Sequence, residues 1–263
     1  MNDGARIADL KTVGITYAGH TVLLADLPEY QKFYKKLSAG LWEPRTLKAL
    51  SQYLDRNTVM IDIGAWIGVT TFFAAQIAKS VVAVDPDPKC IAILESLAAG
   101  NPDVTVFEGA LSDQPSVAIH AVDGFGSSET SVLDIGNGEC AACAGISLDQ
   151  IMHHASGSPA FVKIDIEGYE YAMAGQLARL NDFPVRAVHM AVHPQLYEKS
   201  LGGNRLMRRL RTALATWRIG RKFGECFSGP WLVKYPNLAT YILFGIVFRS
   251  TPRGADFLFE PKR

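Results

Sequence analysis

Three groups of residues in this chain have types and spacings suited to chemistry. The stretch IDIGAWIGVTT carries Asp62, Gly64 and Gly68 directly after an apolar run. A second apolar run ends on Asp85 and Pro86 in VVAVDPDP. Further on, KIDIEGYE carries Lys163, Asp165, Glu167 and Glu170, and HMAVHP carries His193. A glycine-containing turn between a strand and a helix lets a ligand approach the backbone, and the helix N-terminus offers unpaired N–H groups to an anionic part of it. Carboxylates and a histidine at strand ends can hold a cationic ligand and move a proton.

The spacing of the first group is informative. Dinucleotide sites need GxGxxG, which brings a pyrophosphate against the turn. Here Gly64, Ala65, Trp66, Ile67 and Gly68 make GxxxG. Asp62 beside the turn repels a pyrophosphate but suits a ligand with both an ammonium and a carboxylate, and S-adenosylmethionine has both. Asp85, at the next strand tip, is placed to accept both ribose hydroxyls of a nucleoside lying across the strand ends. Asp87 is assigned instead to the N-cap of the helix opening at Pro88. At the third strand end, FEGALSD, the backbone of Ala110 and Leu111 borders the adenine.

These residues need a scaffold to hold them, and the chain reads as one. NTVMIDIG, VVAVD, VTVFEGA, AFVKIDIEG and VRAVHMAVH are strands, alternating with helices at VTTFFAAQIAKS, PKCIAILESLAAG and YEYAMAGQLARL. Such alternation predicts a doubly wound, mainly parallel α/β sheet covered on both faces, Rossmann-like in class. Residues 1–57 form an N-terminal extension with a hairpin at KTVGITYAGHTVLLA and helices after it, and 58–263 the core of one domain. The tail ATYILFGIVFRSTPRGADFLFEP reads as two antiparallel strands closing the sheet.

Composition removes several classes. Twenty-six basic and twenty-six acidic residues leave no global field to recruit nucleic acid or a membrane surface. The longest apolar stretch, ATYILFGIVF, falls well short of the ~20 residues that span a bilayer, and MNDGARIADLKTVG lacks a signal-peptide core. A soluble, cytoplasmic protein is expected. Cys140 and Cys143 form a CxxC with His153 and His154 downstream, read as small buried thiols in a glycine-rich loop rather than a zinc knuckle.

Taken together, VMIDIGAWIGVTT, VVAVDPDP, FEGALSD, SLDQI and above all FVKIDIEGYE resemble the successive blocks of the FkbM-type methyltransferases, over roughly residues 40–195. The resemblance implies S-adenosylmethionine as methyl donor and methyl transfer, most often to a hydroxyl of a sugar, glycan or secondary metabolite. There are two departures. Trp66 stands where the family commonly has a small polar residue, and Ala191 stands at an acidic position two residues before His193.

An alcohol acceptor must lose its proton. Period-two alternation puts Lys163, Asp165 and Glu167 on one side of their strand, Asp165 nearest the reacting centre. His193 is the expected base, because its ordinary pKa of ~6.5 suits it to accept a proton near neutrality. Glu167 and Glu170 also read as helix-terminus acids. No metal is expected, since Ala191 removes an oxygen ligand such ions demand. N-methylation, a nucleotide-binding oxidoreductase and a non-catalytic binding module are the alternatives. Acceptor loops are expected at residues 121–159 and 195–237. In NRLMRRLRTALATWRIGRKF, Leu206, Leu210, Leu214 and Trp217 recur at helical spacing and are expected on the sheet, with the arginines outward, where they could attract an anionic acceptor.

Overall fold

The computed structural model describes residues 10–134, 136, 138–155, 157–232 and 255–261. An N-terminal hairpin, β1 (Thr12–Tyr17) and β2 (His20–Ala25), precedes helices α1 (Gln31–Ser38) and α2 (Pro44–Tyr53). Next come β3 (Val59–Ile63), α3 (Val69–Ala74), β4 (Ser80–Asp85), α4 (Pro88–Ala98) and β5 (Val104–Glu108). The short strands β6 (Ala110–Leu111), β7 (Ser116–Ala121), β8 (Thr130–Ser131) and β9 (Glu139–Ile146) follow, then α5 (Leu148–His153). The chain returns through β10 (Ala160–Ile164), α6 (Glu170–Leu177), β11 (Val185–Val192), α7 (Pro194–Ser200), α8 (Arg205–Cys226), β12 (Phe227–Leu232) and β13 (Ala255–Pro261).

The central sheet has the order β12-β13-β11-β10-β3-β4-β5. The five strands from β5 to β11 are parallel, and β13 and β12 add an antiparallel edge. The fold is thus the expected doubly wound Rossmann-like sheet. Of the two strands read in the tail, the second is β13; the first, at ATYILFGIVF, lies outside the described residues. Among the described residues, β13 pairs with β11 and β12.

Strand alternation sorts the core into two layers. Met60, Val81, Ala83 and Phe161 face a cluster that takes in the hairpin, α1, α2 and α3. Ile61, Ile63, Val82, Val84, Val162 and Ile164 face the other cluster, with Leu177, Ile219 and Phe223. A sheet buried on both faces needs apolar residues at nearly every position, which explains the continuous runs in β3, β4, β10 and β11. Asp62 and Lys163 interrupt this pattern as register partners on neighbouring strands, both on the face carrying Met60 and Phe161.

Three readings of the sequence need correction. A second sheet, β6-β9-β7-β8, occupies part of the region expected to be loop. Its segments SVAIHA and ECAACAGI are rich in alanine, cysteine and glycine, which give a weak strand signal. Cys140 is exposed and Cys143 half-buried on β9, so they are not buried loop thiols.

The stripe on α8 also faces the opposite way. Leu206, Leu210, Leu214 and Trp217 are 67%, 44%, 45% and 42% exposed, while Thr212, Thr216, Ile219 and Phe223 are buried. The inward face carries small hydroxyl residues that let the helix approach closely, with Thr216 Oγ1 2.9 Å from Tyr171 Oη. Arg209 is mostly buried and lies 3.9 Å from Glu198, and Arg211 donates to the Gly202 carbonyl. No helix among the described residues is long and apolar enough to cross a membrane.

Candidate active site

The chain leaves β3 toward β4 on one side and returns through β10 on the other. This order reversal opens a crevice beyond the strand C-termini, where open α/β sheets bind ligands. A cavity of about 350 Å³ lies there, a size suited to a small ligand. Its walls include Gly64, Ala65, Trp66, Asp85, Pro86, Ala110, Leu111, Lys163, Asp165, Glu167 and His193. Of the residues expected in the site as ligand-binding or catalytic groups, only Asp62 and Gly68 are missing from these walls.

The turn after β3 is held by its neighbours. Gly64 N–H and Ala65 N–H both donate to the Val84 carbonyl, and Trp66 N–H donates to Asp85 Oδ2 at 2.7 Å. Trp66 has φ 50°, and its indole N–H donates to the Gly126 carbonyl. Phe33 and Tyr30, from the N-terminal extension, pack edge-on against the indole at 4.8 and 5.8 Å. The aromatic wall anticipated from Trp66 is therefore built jointly with residues far from it in sequence. Segment 127–132 also lines the cavity, within the first of the two expected acceptor regions. Residues 195–232, the described part of the second, do not appear in its walls.

Asp62 is fully buried behind the turn, so it does not present itself to a ligand's ammonium. Its Oδ2 accepts from the hydroxyls of Thr70 and Thr71, both at 2.7 Å, and Oδ1 lies 3.3 Å from Lys163 Nζ. Beside a glycine turn, strand alternation alone does not say whether an acid points at the ligand or at the helix behind it. Gly68 has the N-cap position of α3 and faces Phe72.

Asp87 has the N-cap role expected of it, and Asp85 lines the cavity. Asp87 caps α4, accepting from Lys89 N–H and Cys90 N–H, and its other oxygen accepts from Gly126 N–H and the Thr130 hydroxyl. Asp85 accepts from Trp66 N–H and Asp87 N–H, one on each oxygen, leaving each oxygen a second lone pair for a ligand hydroxyl. Burial pushes the Asp85 carboxyl up to about 7, Asp87 and Asp62 adding to this while the two N–H donors oppose it.

This gives a signed prediction. A cationic ligand, or hydroxyls donating to Asp85, favours the ionised form. Binding of S-adenosylhomocysteine should therefore release a proton near pH 6–7 and tighten as pH rises through about 7. Calorimetry in buffers of different ionisation enthalpy measures this; affinity that is flat from acid to alkaline pH removes Asp85 from the ligand's contacts. The ligand-free protein should show the reverse trend. Its folded state binds the extra proton between about pH 4 and 7, so stability falls as pH rises through that window.

Lys163 is buried on β10. It donates to the Gly64 carbonyl at 3.1 Å and lies 3.3 Å from Asp62 and 3.4 Å from Asp165. Burial pulls its pKa down, but Asp62, Asp165 and Glu43 more than restore it, and the net direction is up. Burial raises Asp165 while Lys163 and His193 lower it, with a net fall. Glu167 has left the strand. It has φ 50° in the turn before α6, and that turn, rather than strand alternation, brings its carboxylate to the site.

His193 sits among three carboxylates. Its Nε2 is 3.6 Å from Asp165 and 3.5 Å from Glu167, and its Nδ1 is 3.3 Å from Glu170. Burial would lower its pKa, but Glu167, Glu170 and Asp165 raise it to about 10. These carboxylates favour the imidazolium form of His193, whereas a free imidazole was expected of it. Burial, opposed by His193, moves Glu167 upward.

Two acids take places that the sequence did not show. Glu170, read as a helix-terminus acid, is fully buried, accepts from Ile166 N–H and faces His193. Glu43 comes from the N-terminal extension with φ 36° and lines the cavity. Burial, with Asp165 adding, raises it to about 7. A non-glycine residue held in the left-handed region at a cavity is a recognised mark of function, but it shows only in three dimensions. Asp256 on β13 is the register partner of Ala191, so a carboxylate-bearing residue stands across from the position where the expected acid is absent.

A switch-point turn, an acid at the tip of the next strand, and Lys163 with Asp165 at the end of the return strand meet in one cavity of a Rossmann-like sheet. The chain belongs to the FkbM methyltransferase family: the Methyltransferase FkbM domain profile matches residues 62–213, more than half of it. The methyl donor is therefore S-adenosylmethionine and the product S-adenosylhomocysteine. The site fits it: the Gly64–Trp66 turn lines the cavity, and each Asp85 oxygen keeps a lone pair beyond the N–H it accepts.

No curated protein matches the chain significantly. Among solved structures, an rRNA methylase from Streptococcus thermophilus is 11% identical, covering 83% of this chain and 95% of its own, with TM-score 0.46. A putative methyltransferase from Streptococcus mutans, solved with S-adenosylhomocysteine, is 13% identical over 83% and 97%, with TM-score 0.44. Trm5b from Pyrococcus abyssi is 11% identical over 97% of this chain, with TM-score 0.41; the chain spans 57% of that protein's length.

Proposed function

We propose that this protein methylates a hydroxyl on a small molecule, a sugar or glycan, or a secondary metabolite. The observation that supports this reading is the group of acids Glu43, Asp165 and Glu167 adjoining the cofactor turn in one cavity. A neutral amine attacks without prior deprotonation, whereas an alcohol needs a group to take its proton. When bound, S-adenosylmethionine supplies a methyl on a sulfonium, whose C–S electron pair returns to sulfur as the O–C bond forms.

The chain's own residues do the rest. Gly64 and Trp66 shape the turn, Asp85 binds hydroxyls, and Lys163 locks the turn to β10 through the Gly64 carbonyl. Glu43 and Glu167, both raised by burial, are suited to hold the proton released by the acceptor. His193 keeps the surrounding carboxylates compensated. Lys36 on the cavity wall allows an anionic acceptor, whereas α8 is absent from that wall and is not the source of such a preference.

Incubation with methyl-labelled S-adenosylmethionine and a panel of hydroxyl and amine acceptors tests the reading. The expected product is a methyl ether, and Glu43→Gln combined with Glu167→Gln should slow its formation about 10²-fold or more. Labelled product found only on nitrogen, with turnover unaffected by the double substitution, would establish N-methylation instead.

A further inference from the structure

We propose that Asp165, Glu170 and His193 form a divalent cation site beside the methyl-transfer centre. One oxygen from each acid and one ring nitrogen of His193 lie within 4.8 Å of one another, close enough to surround a single ion. Glu170 is fully buried, and its Oε2 has no hydrogen-bond partner among the described residues; the same holds for Asp165 Oδ1. Buried carboxylate oxygens without a partner are costly and are normally paired or bound to metal.

The charge balance agrees. Asp165, Glu167 and Glu170 surround one imidazole ring, and the ammonium of Lys163 is shared with Asp62. A divalent ion at the three ligands compensates these acids better than a single proton on His193, which would leave as the ion binds. Two carboxylates and one imidazole suit an ion of the Mn²⁺ or Mg²⁺ kind, with water or the acceptor oxygen completing its shell. The ligand that seemed to be missing at Ala191 is supplied by Glu170, one helix earlier in the chain. The three ligands come from the residue after β10, the first turn of α6 and the residue after β11, so the completed fold alone brings them together.

This inference rests on the methyltransferase reading only for the role of the ion, which is to bind the acceptor hydroxyl and ease loss of its proton. Its test therefore needs no turnover. The full chain, saturated with S-adenosylhomocysteine, is titrated with Mn²⁺ and followed by electron paramagnetic resonance and calorimetry. One equivalent should bind, and Glu170→Gln and His193→Ala should each weaken it about 10- to 100-fold or more, the scale of losses at metal sites.

S-adenosylhomocysteine affinity, measured on the same samples, reports folding, and His193→Ala stands in if Glu170→Gln disturbs the turn it holds. Wild-type protein that binds S-adenosylhomocysteine but takes up no stoichiometric Mn²⁺ overturns the site while leaving the methyltransferase reading intact. Wild-type Mn²⁺ affinity retained in folded variants overturns it equally.

Discussion

Gly64→Ala is expected to abolish S-adenosylhomocysteine binding and to destabilise the fold by on the order of 3–5 kcal/mol, the range of the most damaging single substitutions. A Cβ at this position would lie 1.8 Å from the Asp165 carbonyl oxygen and 2.8 Å from its carbon. Both are backbone atoms, so no side chain can move aside. Gly64 also has φ +83°, which costs other residues about 1–2 kcal/mol by itself. The clash pushes apart β3 and β10 where the sheet reverses order, and with them the turn and the acid cluster. Gly203→Ala is the control, because it has φ +106° and nothing within 4 Å of where its Cβ would stand, so it carries the conformational cost alone. Thermal unfolding and ligand titration of both variants check the prediction. A Gly64→Ala protein matching the control in both would show that the strand ends separate easily.

Lys163→Met should cost about 3–5 kcal/mol, the usual penalty for removing one member of a buried ion pair. Asp62 is fully buried and Lys163 nearly so, with Asp165 3.4 Å from the same ammonium. Methionine fills the volume but leaves two carboxylates without their cation and the Gly64 carbonyl without its donor. Denaturant unfolding should show a lower midpoint with an unchanged slope. Adding Asp62→Asn should recover part of the loss, since it removes one of the stranded charges; strictly additive effects would show that the pair is not coupled in the folded state.

Much of the scaffold was legible in the chain. Apolar runs alternating with helical patterns identified β3, β4, β5, β10 and β11, because strands covered on both faces must be apolar nearly throughout. Local spacing also separated Asp85 from Asp87, since an N-cap sits directly before its helix and a strand-tip acid does not. The family blocks depend on the same short-range order.

Less local features were not legible. Alternation gave Lys163 and Asp165 a common side but could not say that Asp62 turns from the ligand to bind Thr70 and Thr71. The α8 periodicity was real, yet the helix buries its threonine face and leaves its leucines outward. Periodicity reports that residues share a face; the neighbouring surface decides which face is covered.

The sequence by itself determined the order of the parallel strands and the helices between them, the glycine turn and the acid at the next strand tip, because each depends on residues a few positions apart. Only the tertiary structure decided the chemistry of the cluster. It carried Glu43 from the N-terminal extension to the cavity that Asp165 lines, and closed His193 against Glu167 and Glu170. Those acids then favour a protonated His193 against the effect of its burial, because charge interactions depend on distance and desolvation, which the order of residues does not contain.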